Sequence, residues 1–298
     1  MKDLTPAEHG FLLLTSHLGN PERKPLTVAQ FRELTVRAGR MDHREASRDL
    51  EIRDLVGVGY GPSFARHILD LLREEDLLAW YLSRGQNLAC MPVTRASETY
   101  PLILRKRLGT DSPGCLWARG DLRLLDSPAI ALVGSRELRP ENRHFAEEVG
   151  RQAARQGLTL VSGNARGADK AAQNACLNAG GRVISVVADS LLSHRPKENV
   201  LYLSEDCFDA EFSAQRALSR NRCIHALGRI TFVAQADLYK GGTWDGTMKN
   251  LRHGWSPVAC FRDGSEASLE LEQLGAYLIG TGDLGDFGVL QQTDNTLF

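Results

Sequence analysis

The residues best suited to chemistry sit just beyond short apolar runs. One run ends in Gly134-Ser135-Arg136, a second in Ser162-Gly163-Asn164-Ala165-Arg166-Gly167, a third in Asp189-Ser190 and a fourth in Lys240-Gly241-Gly242-Thr243. Glycines let a backbone approach an anion closely, hydroxyls and helix-start amides donate hydrogen bonds, and guanidinium groups bind phosphate in bidentate fashion. Three such loops on one rim point to an anion site. For any single glycine taken alone, tight packing is the better explanation. The stretch "LSRNRCIHALG" adds Arg220, Asn221 and Arg222, expected at the start of a helix near the same rim, with an exposed basic turn as the other reading.

Catalytic patterns are missing. The chain has no GxSxG elbow, no HExxH and no complete P-loop. His225 and His253 are isolated, and the six cysteines form no CxxC pair, so neither a metal nor a redox cofactor is expected. No catalytic residue is assigned.

The elements that must position these loops follow from periodicity. Residues 1–88 read as a small all-α domain: "TPAEHGFLLLTSHLG" has a Thr cap followed by Pro, and "TVAQFRELTVRAGR" and "FARHILDLLREEDLLAWYLSRG" carry apolar residues at helical spacing. "DLVGVGYGPSFARHIL" resembles a helix-hairpin-helix whose glycine amides could face a phosphate, although an extra residue interrupts the usual spacing. Residues 89–127 read as a connector with short strands and turns. From residue 128 to 298 strands alternate with helices: "AIALV", "LTLVSG", "RVISVVA", "RITFVAQA" and "SPVACF" are the expected strands, with "GGTWDGTMKNLRHG" a loop and helix. The pattern implies an α/β fold with a mostly parallel sheet and ligands at the strands' carboxyl ends.

Composition sets the outer limits. Hydrophobic residues make up 42% and charged residues 24% of the 298, as in ordinary globular proteins. The net charge of −1 argues against a generic nucleic-acid binder, but its distribution is uneven. Residues 91–230 hold 20 Lys and Arg against 15 Asp and Glu, whereas residues 231–298 hold 4 against 9. A local anionic ligand in the middle of the chain fits this balance, as do solvated faces. No signal peptide or membrane span is read, and a reducing cytoplasm is the expected location.

In order along the chain, "ETYP", "LWARGDLRLLDSPAIALVGSR", "LVSGNARGADKAAQ", "NAGGRVISVVA", "RPKENVLYLSED", "SRNRCIHALGRITFVAQA" and "LEQLGAYLIGTGD" resemble the motifs of the DNA-processing protein A (DprA/Smf) family. The resemblance implies an extended Rossmann fold that binds single-stranded DNA, forms homodimers and loads RecA during transformation, with no catalytic step. It places Arg136 and Arg166 on basic DNA-contacting positions, Ser135, Ser162, Gly163 and Gly167 in phosphate loops, and Arg220, Asn221 and Arg222 on an RNR motif. The chain departs from the family where its usual Ile-Asp pair reads Ala168-Asp169, at Gln173 in place of His, at Gln235 in place of an acidic residue and in the loop "KGGTWDGT", and a divergent member without a carboxy-terminal winged helix is expected. The departures put the RecA partnership in question. The competing class is a LOG-like Rossmann nucleotide sensor or nucleotide N-glycoside hydrolase. Its PGGxGTxxE signature is only partly matched, with Asn250 where the glutamate would fall.

Overall fold

The computed structural model describes residues 4–40, 49–205 and 207–288. The end of the expected Rossmann-like domain, residues 289–298, lies outside them. Two compact units emerge, one of Met1–Tyr100, Pro113–Trp117 and Glu205–Ala210, the other of Pro101–Ser112, Ala118–Ser204 and Glu211–Phe298. Residues 89–127 contribute to both.

Cap chemistry sets the helix starts in the first unit. Helix α1 (Pro6–Thr15) opens with Thr5, whose N–H donates to Glu8 Oε2 at 2.8 Å while the Glu8 N–H donates to Thr5 Oγ1 at 3.3 Å. The same reciprocal pair, Thr27 with Gln30, opens α2 (Val28–Ala38). Helices α3 (Ile52–Gly57) and α4 (Pro62–Leu72) follow, and the chain breaks at Arg73-Glu74 before α5 (Glu75–Asn87). The apolar faces of α1 to α4 close on Phe31, Leu34, Leu55, Ile68 and Leu69. Strand β1 (Met91–Thr94) lies beside β2 (Cys115–Arg119).

The glycine turn between α3 and α4 is closed on itself. The N–H groups of Val58, Gly59 and Tyr60 donate to the carbonyls of Asp54, Val56 and Leu55 at 3.3, 2.9 and 3.1 Å. Arg37 folds over the turn, donating to the Val58 carbonyl at 3.1 Å, with its guanidinium 4.4 Å from the Tyr60 ring centre. The Gly59 amide, at the centre of the turn expected to face phosphate, and the amides on either side of it therefore already have acceptors.

The second unit holds a doubly wound sheet. Strands β3 (Ala129–Val133), β4 (Thr159–Ser162), β5 (Arg182–Val186), β6 (Val200–Glu205), β7 (Thr231–Val233), β8 (Val258–Phe261) and β9 (Tyr277–Ile279) lie in the order β6-β5-β4-β3-β7-β8-β9, every neighbouring pair parallel. Helix α6 (Leu102–Leu108) precedes them in the chain, where strands and turns alone were expected. Helices α7 (Pro140–Arg155) and α8 (Ala168–Asn178) pack on one another, as do α9 (Ala214–Leu227) and α10 (Gly241–His253). Right-handed crossovers put α7 and α8 on one face as the chain steps from β3 to β5. The opposite walk from β7 to β8 puts α10 on the other face. Helix α11 (Glu266–Gln273) leads into β9.

The direction of winding reverses between β3 and β7, which makes the carboxyl ends of these two strands the topological switch point where sheets of this class bind ligands. Strands β6 and β9 were missed as strands by the periodicity reading. "VLYLSE" and "YLI" are short and carry no alternation that separates them from loop.

Candidate nucleic-acid interface

Three strand-end loops meet at the switch point and interlock. The Ser135 N–H donates to the Gln235 carbonyl at 3.0 Å, Gln235 Nε2 donates to the Glu137 carbonyl at 3.1 Å, and the Arg139 N–H donates to Gln235 Oε1 at 3.0 Å. One neutral amide thus staples the loop after β3 to the loop after β7. A carboxylate at 235 could accept the Arg139 hydrogen bond but has no N–H to offer Glu137. The third loop joins through the Ala168 N–H, which donates to the Ser135 carbonyl at 3.1 Å. This approach is possible because Gly167 has φ +90° and any Cβ there would strike the Ser135 and Arg136 carbonyls. Gly134 is likewise tight, with a Cβ position 2.5 Å from that of Ala168.

The loop after β4 supplies its own anion. Asp169 is buried, and its Oδ2 accepts the N–H groups of Gly163 at 3.1 Å and Ala165 at 3.0 Å. Burial raises the pKa of this carboxyl, against the pull of the Arg220 charge and the two amides. Arg220 lies beneath the loop, also buried, donating from Nη2 to the Gly163 carbonyl at 3.1 Å. A Cβ on Gly163 would occupy the guanidinium's place, so glycine here makes room for an arginine rather than for a ligand. Ser162 is buried beneath α8, where its Oγ accepts from Gln173 Nε2 at 2.6 Å. Gln173 also donates to Ser185 Oγ at 3.0 Å, joining β4 to β5.

Asn164, at φ +62°, receives Lys170 Nζ on its Oδ1, and its Nδ2 lies 3.2 Å from His194 Nδ1. His194 Nε2 is in turn 2.9 Å from Asp189 Oδ1, and the ring stacks on Tyr202. Burial would raise the Asp189 pKa, but the hydrogen bond and charge of His194 and the more distant Arg220 bring it below the ordinary carboxylate value. Desolvation and the nearby Lys197 charge lower the Lys170 pKa. The chain Lys170–Asn164–His194–Asp189 braces the β4 and β5 loops against each other.

Two arginines remain outward. Arg136 is exposed, and among the described residues none engages its guanidinium. Arg166 pairs with Glu137 at 3.1 Å, but the side chains are 76% and 88% exposed, so water screens that pair heavily. Arg166 also lines a groove between α7 and α8 with Arg143, Arg151, Lys170, Asn174 and Glu147. Cations outnumber the single carboxylate along this groove, which continues the basic rim down the helix seam.

The expectation that Arg220, Asn221 and Arg222 start a helix and share one rim is corrected. Ser213 caps α9, whose first residue is Ala214, so the three stand mid-helix and diverge by about 100° per residue. Arg220 goes inward. Asn221 Nδ2 donates to the Gly242 carbonyl at 3.0 Å, tying α9 to the start of α10. Arg222 donates from Nη1 to the Ser219 carbonyl at 2.9 Å and from Nε to the Asp111 carbonyl at 3.2 Å. Lys240, Gly241, Gly242 and Thr243 do lie at a strand end, but α10 begins at Gly241, so the separate glycine loop expected there is helix.

Farther along α10, Asn250 is buried. Its Nδ2 lies 3.2 Å from His225 Nδ1 and donates to Ser256 Oγ at 3.1 Å, while its Oδ1 accepts the Ser256 N–H at 2.9 Å. Burial, helped by the Arg220 charge, lowers the His225 pKa to about 3. A glutamate here would meet structural partners, not substrate. Among the described residues no group of three or more His, Cys, Asp or Glu could hold a metal ion, and no helix is long and apolar enough to cross a membrane.

A family model described as DNA recombination-mediator protein A matches residues 92–283. The chain belongs to this family. DNA processing protein DprA of Streptococcus pneumoniae is 33% identical over 185 residues, which cover 58% of this chain and 65% of that protein. The Bacillus subtilis DprA is 28% identical over 222 residues, 70% of this chain and 72% of the relative. The match to the Mycobacterium tuberculosis relatives spans about half of their length, 49%. In three dimensions the S. pneumoniae DprA structure superposes with a TM-score of 0.71 at 25% identity, covering 95% of this chain and 97% of that one. A Helicobacter pylori DprA, described for its single-stranded DNA binding mode, gives 0.56 at 26% identity over 68% of this chain and 96% of its own.

Asp169, Gln173, Gln235 and His194 organise the site, and the reading of residue types assigned no role to any of them. Gln173 and Gln235 coincide with departures from the family motifs, and a departure at a loop base was the available signal; Asp169 keeps the acidic residue of the family's Ile-Asp pair. His194 carries no recognisable motif: Asp189 and Tyr202 are near it in sequence, but Asn164, which ties it to the β4 loop, is 30 positions away.

Proposed function

We propose that this family member binds single-stranded DNA and acts as a recombination mediator, without a chemical step. The observation that carries the reading is the pair Arg136 and Arg166, outward-facing on interlocked loops at the switch point. The loop amides of Gly163 and Ala165 hold Asp169, so phosphate recognition falls to side chains, chiefly these arginines, with Lys170 four residues after Arg166 and Lys240 and Thr243 at the start of α10 after β7. Guanidinium forks suit phosphate oxygens, and a rim of loops fits one flexible strand better than a stiff duplex. The description of the H. pylori relative supports the same ligand. The buried place of Asn250 weighs against the nucleotide-hydrolase reading.

The family supports two partners as further proposals, RecA and a second copy of the chain, with the cytoplasm as the location. For the dimer, β7 offers little, since it is central and its Thr231–Val233 are buried in the sheet. The edge strand β9 and the exposed Leu269 and Leu274 around it are the better contact.

Fluorescence anisotropy with oligonucleotides of increasing length at two salt concentrations tests the reading. Affinity should rise with length and fall with salt, at a slope of about 0.7 per phosphate contact. Binding that saturates with a mononucleotide, or ignores salt, would overturn it.

A further inference from the structure

Tyr239 is the most exposed aromatic among the described residues. It is 69% exposed and lies in the β7–α10 connection, whose beginning, Gln235, is bonded to Ser135 in the Arg136 loop. Parallel strands stand about 4.8 Å apart, so this connection rises next to the Arg136 loop, with the Arg166 loop one strand farther on.

The backbone there suits another residue. Asp237 to Lys240 form a tight turn closed by the Lys240 N–H on the Asp237 carbonyl at 3.0 Å. Tyr239 holds its third position at φ +57°, a left-handed conformation that glycine or asparagine adopts readily and a bulky ring does not. In return the ring gains one edge-on contact with the buried Trp244, centroids 5.2 Å apart at 77°. Leu218, 46% exposed, adds apolar surface beside Gly242 at the start of α10. The arrangement braces a ring along one edge and leaves its remaining surface open next to cationic loops.

We propose that Tyr239 forms a base-stacking subsite, taking one nucleobase of the strand whose phosphates the arginines hold. The inference rests on the single-stranded DNA reading. Stacking suits such a strand because every base has a π-face, and it requires no sequence preference.

The test compares two oligonucleotides with the same sugar-phosphate backbone, one with all its bases and one with consecutive abasic sites. Tyr239→Gly should weaken binding of the complete strand about tenfold, and Tyr239→Phe should restore it. On the abasic strand wild type and Tyr239→Gly should bind alike, while Arg136→Ala weakens both strands. Thermal melting of Tyr239→Gly should match or exceed wild type, because glycine removes the left-handed strain. That combination, a fold kept or improved with base-dependent affinity lost, is inconsistent with a purely structural ring. Equal weakening on both strands, or none on either, overturns the stacking subsite while leaving the phosphate rim standing. A wild-type protein that binds neither strand overturns the rim and the subsite together.

Discussion

Two glycine-rich turns in this chain look alike as sequence and differ as structure. The turn at Val58–Gly61 in the first unit and the loop at Gly163–Gly167 in the second both offer small residues and backbone amides near an arginine. In both, amides are satisfied from within: by helix carbonyls in the first case, by the Asp169 carboxylate in the second. The arginines separate them. Arg37 lies over its own turn, bonded to Val58, paired with Glu33 and stacked on Tyr60. Arg166 reaches away from its loop, and Arg136 beside it is engaged by no described residue. Glycine spacing therefore reports the shape of a backbone, and only the freedom of the neighbouring side chains reports a binding surface.

The largest expected effect removes the support beneath the second loop. Arg220→Ala would leave the Asp169 carboxylate buried without its cation, and losing one partner of a buried pair costs about 3–5 kcal/mol. Chemical denaturation should show that loss, with DNA affinity falling alongside. Unchanged stability would mean that Asp169 is balanced by its amides alone.

Next come the outward arginines. A charge-assisted hydrogen bond contributes about 1.5–3 kcal/mol, so Arg136→Ala or Arg166→Ala should weaken oligonucleotide binding about tenfold to a hundredfold. Melting temperatures should be unchanged. Lysine should rescue each only partly, because it keeps the charge and loses the planar fork. Arg73→Ala, an exposed arginine of the first unit loosely paired with Asp70, is the control for general loss of charge. If it weakens binding as much as the strand-end substitutions, the rim is misplaced.

Much of this is legible in the sequence. Alternating strands and helices gave a parallel α/β sheet, and the loops at its carboxyl edge were correctly located, because a strand, a glycine and a helix cap are local signals. What stayed hidden depends on contacts between distant residues. Nothing local shows that Gly163 makes room for Arg220, 57 positions away, or that Ser162 faces Gln173 instead of solvent. The run Arg220-Asn221-Arg222 looked like one patch, since adjacency in sequence is easily mistaken for adjacency on a surface. On a helix it means divergence.

In the first turn the roles reverse. Arg37→Ala should destabilise the protein by about 1 kcal/mol, through the lost hydrogen bond to Val58 and the stacking on Tyr60. DNA affinity should stay within twofold of wild type, as expected for a turn whose Val58, Gly59 and Tyr60 amides already have acceptors. Denaturation and anisotropy on one preparation separate the two effects. A tenfold loss of affinity at unchanged stability would instead make this turn a second DNA contact and erase the contrast with the Gly163 loop.

The smallest effect concerns the carboxylate that accompanies Arg166. Glu137 pairs with it in water, where such an ion pair contributes about 0–1 kcal/mol. A phosphate arriving at Arg166 must displace Glu137 and endure its charge nearby. Glu137→Gln removes the competitor and the repulsion, while the Glu137 carbonyl that accepts from Gln235 is backbone and is left in place. Binding should tighten about twofold to fivefold at low salt, and the gain should shrink as salt rises, since screening weakens both interactions. Weaker binding would show that Glu137 positions Arg166 for its ligand, making the paired arginine in the free protein a prepared one.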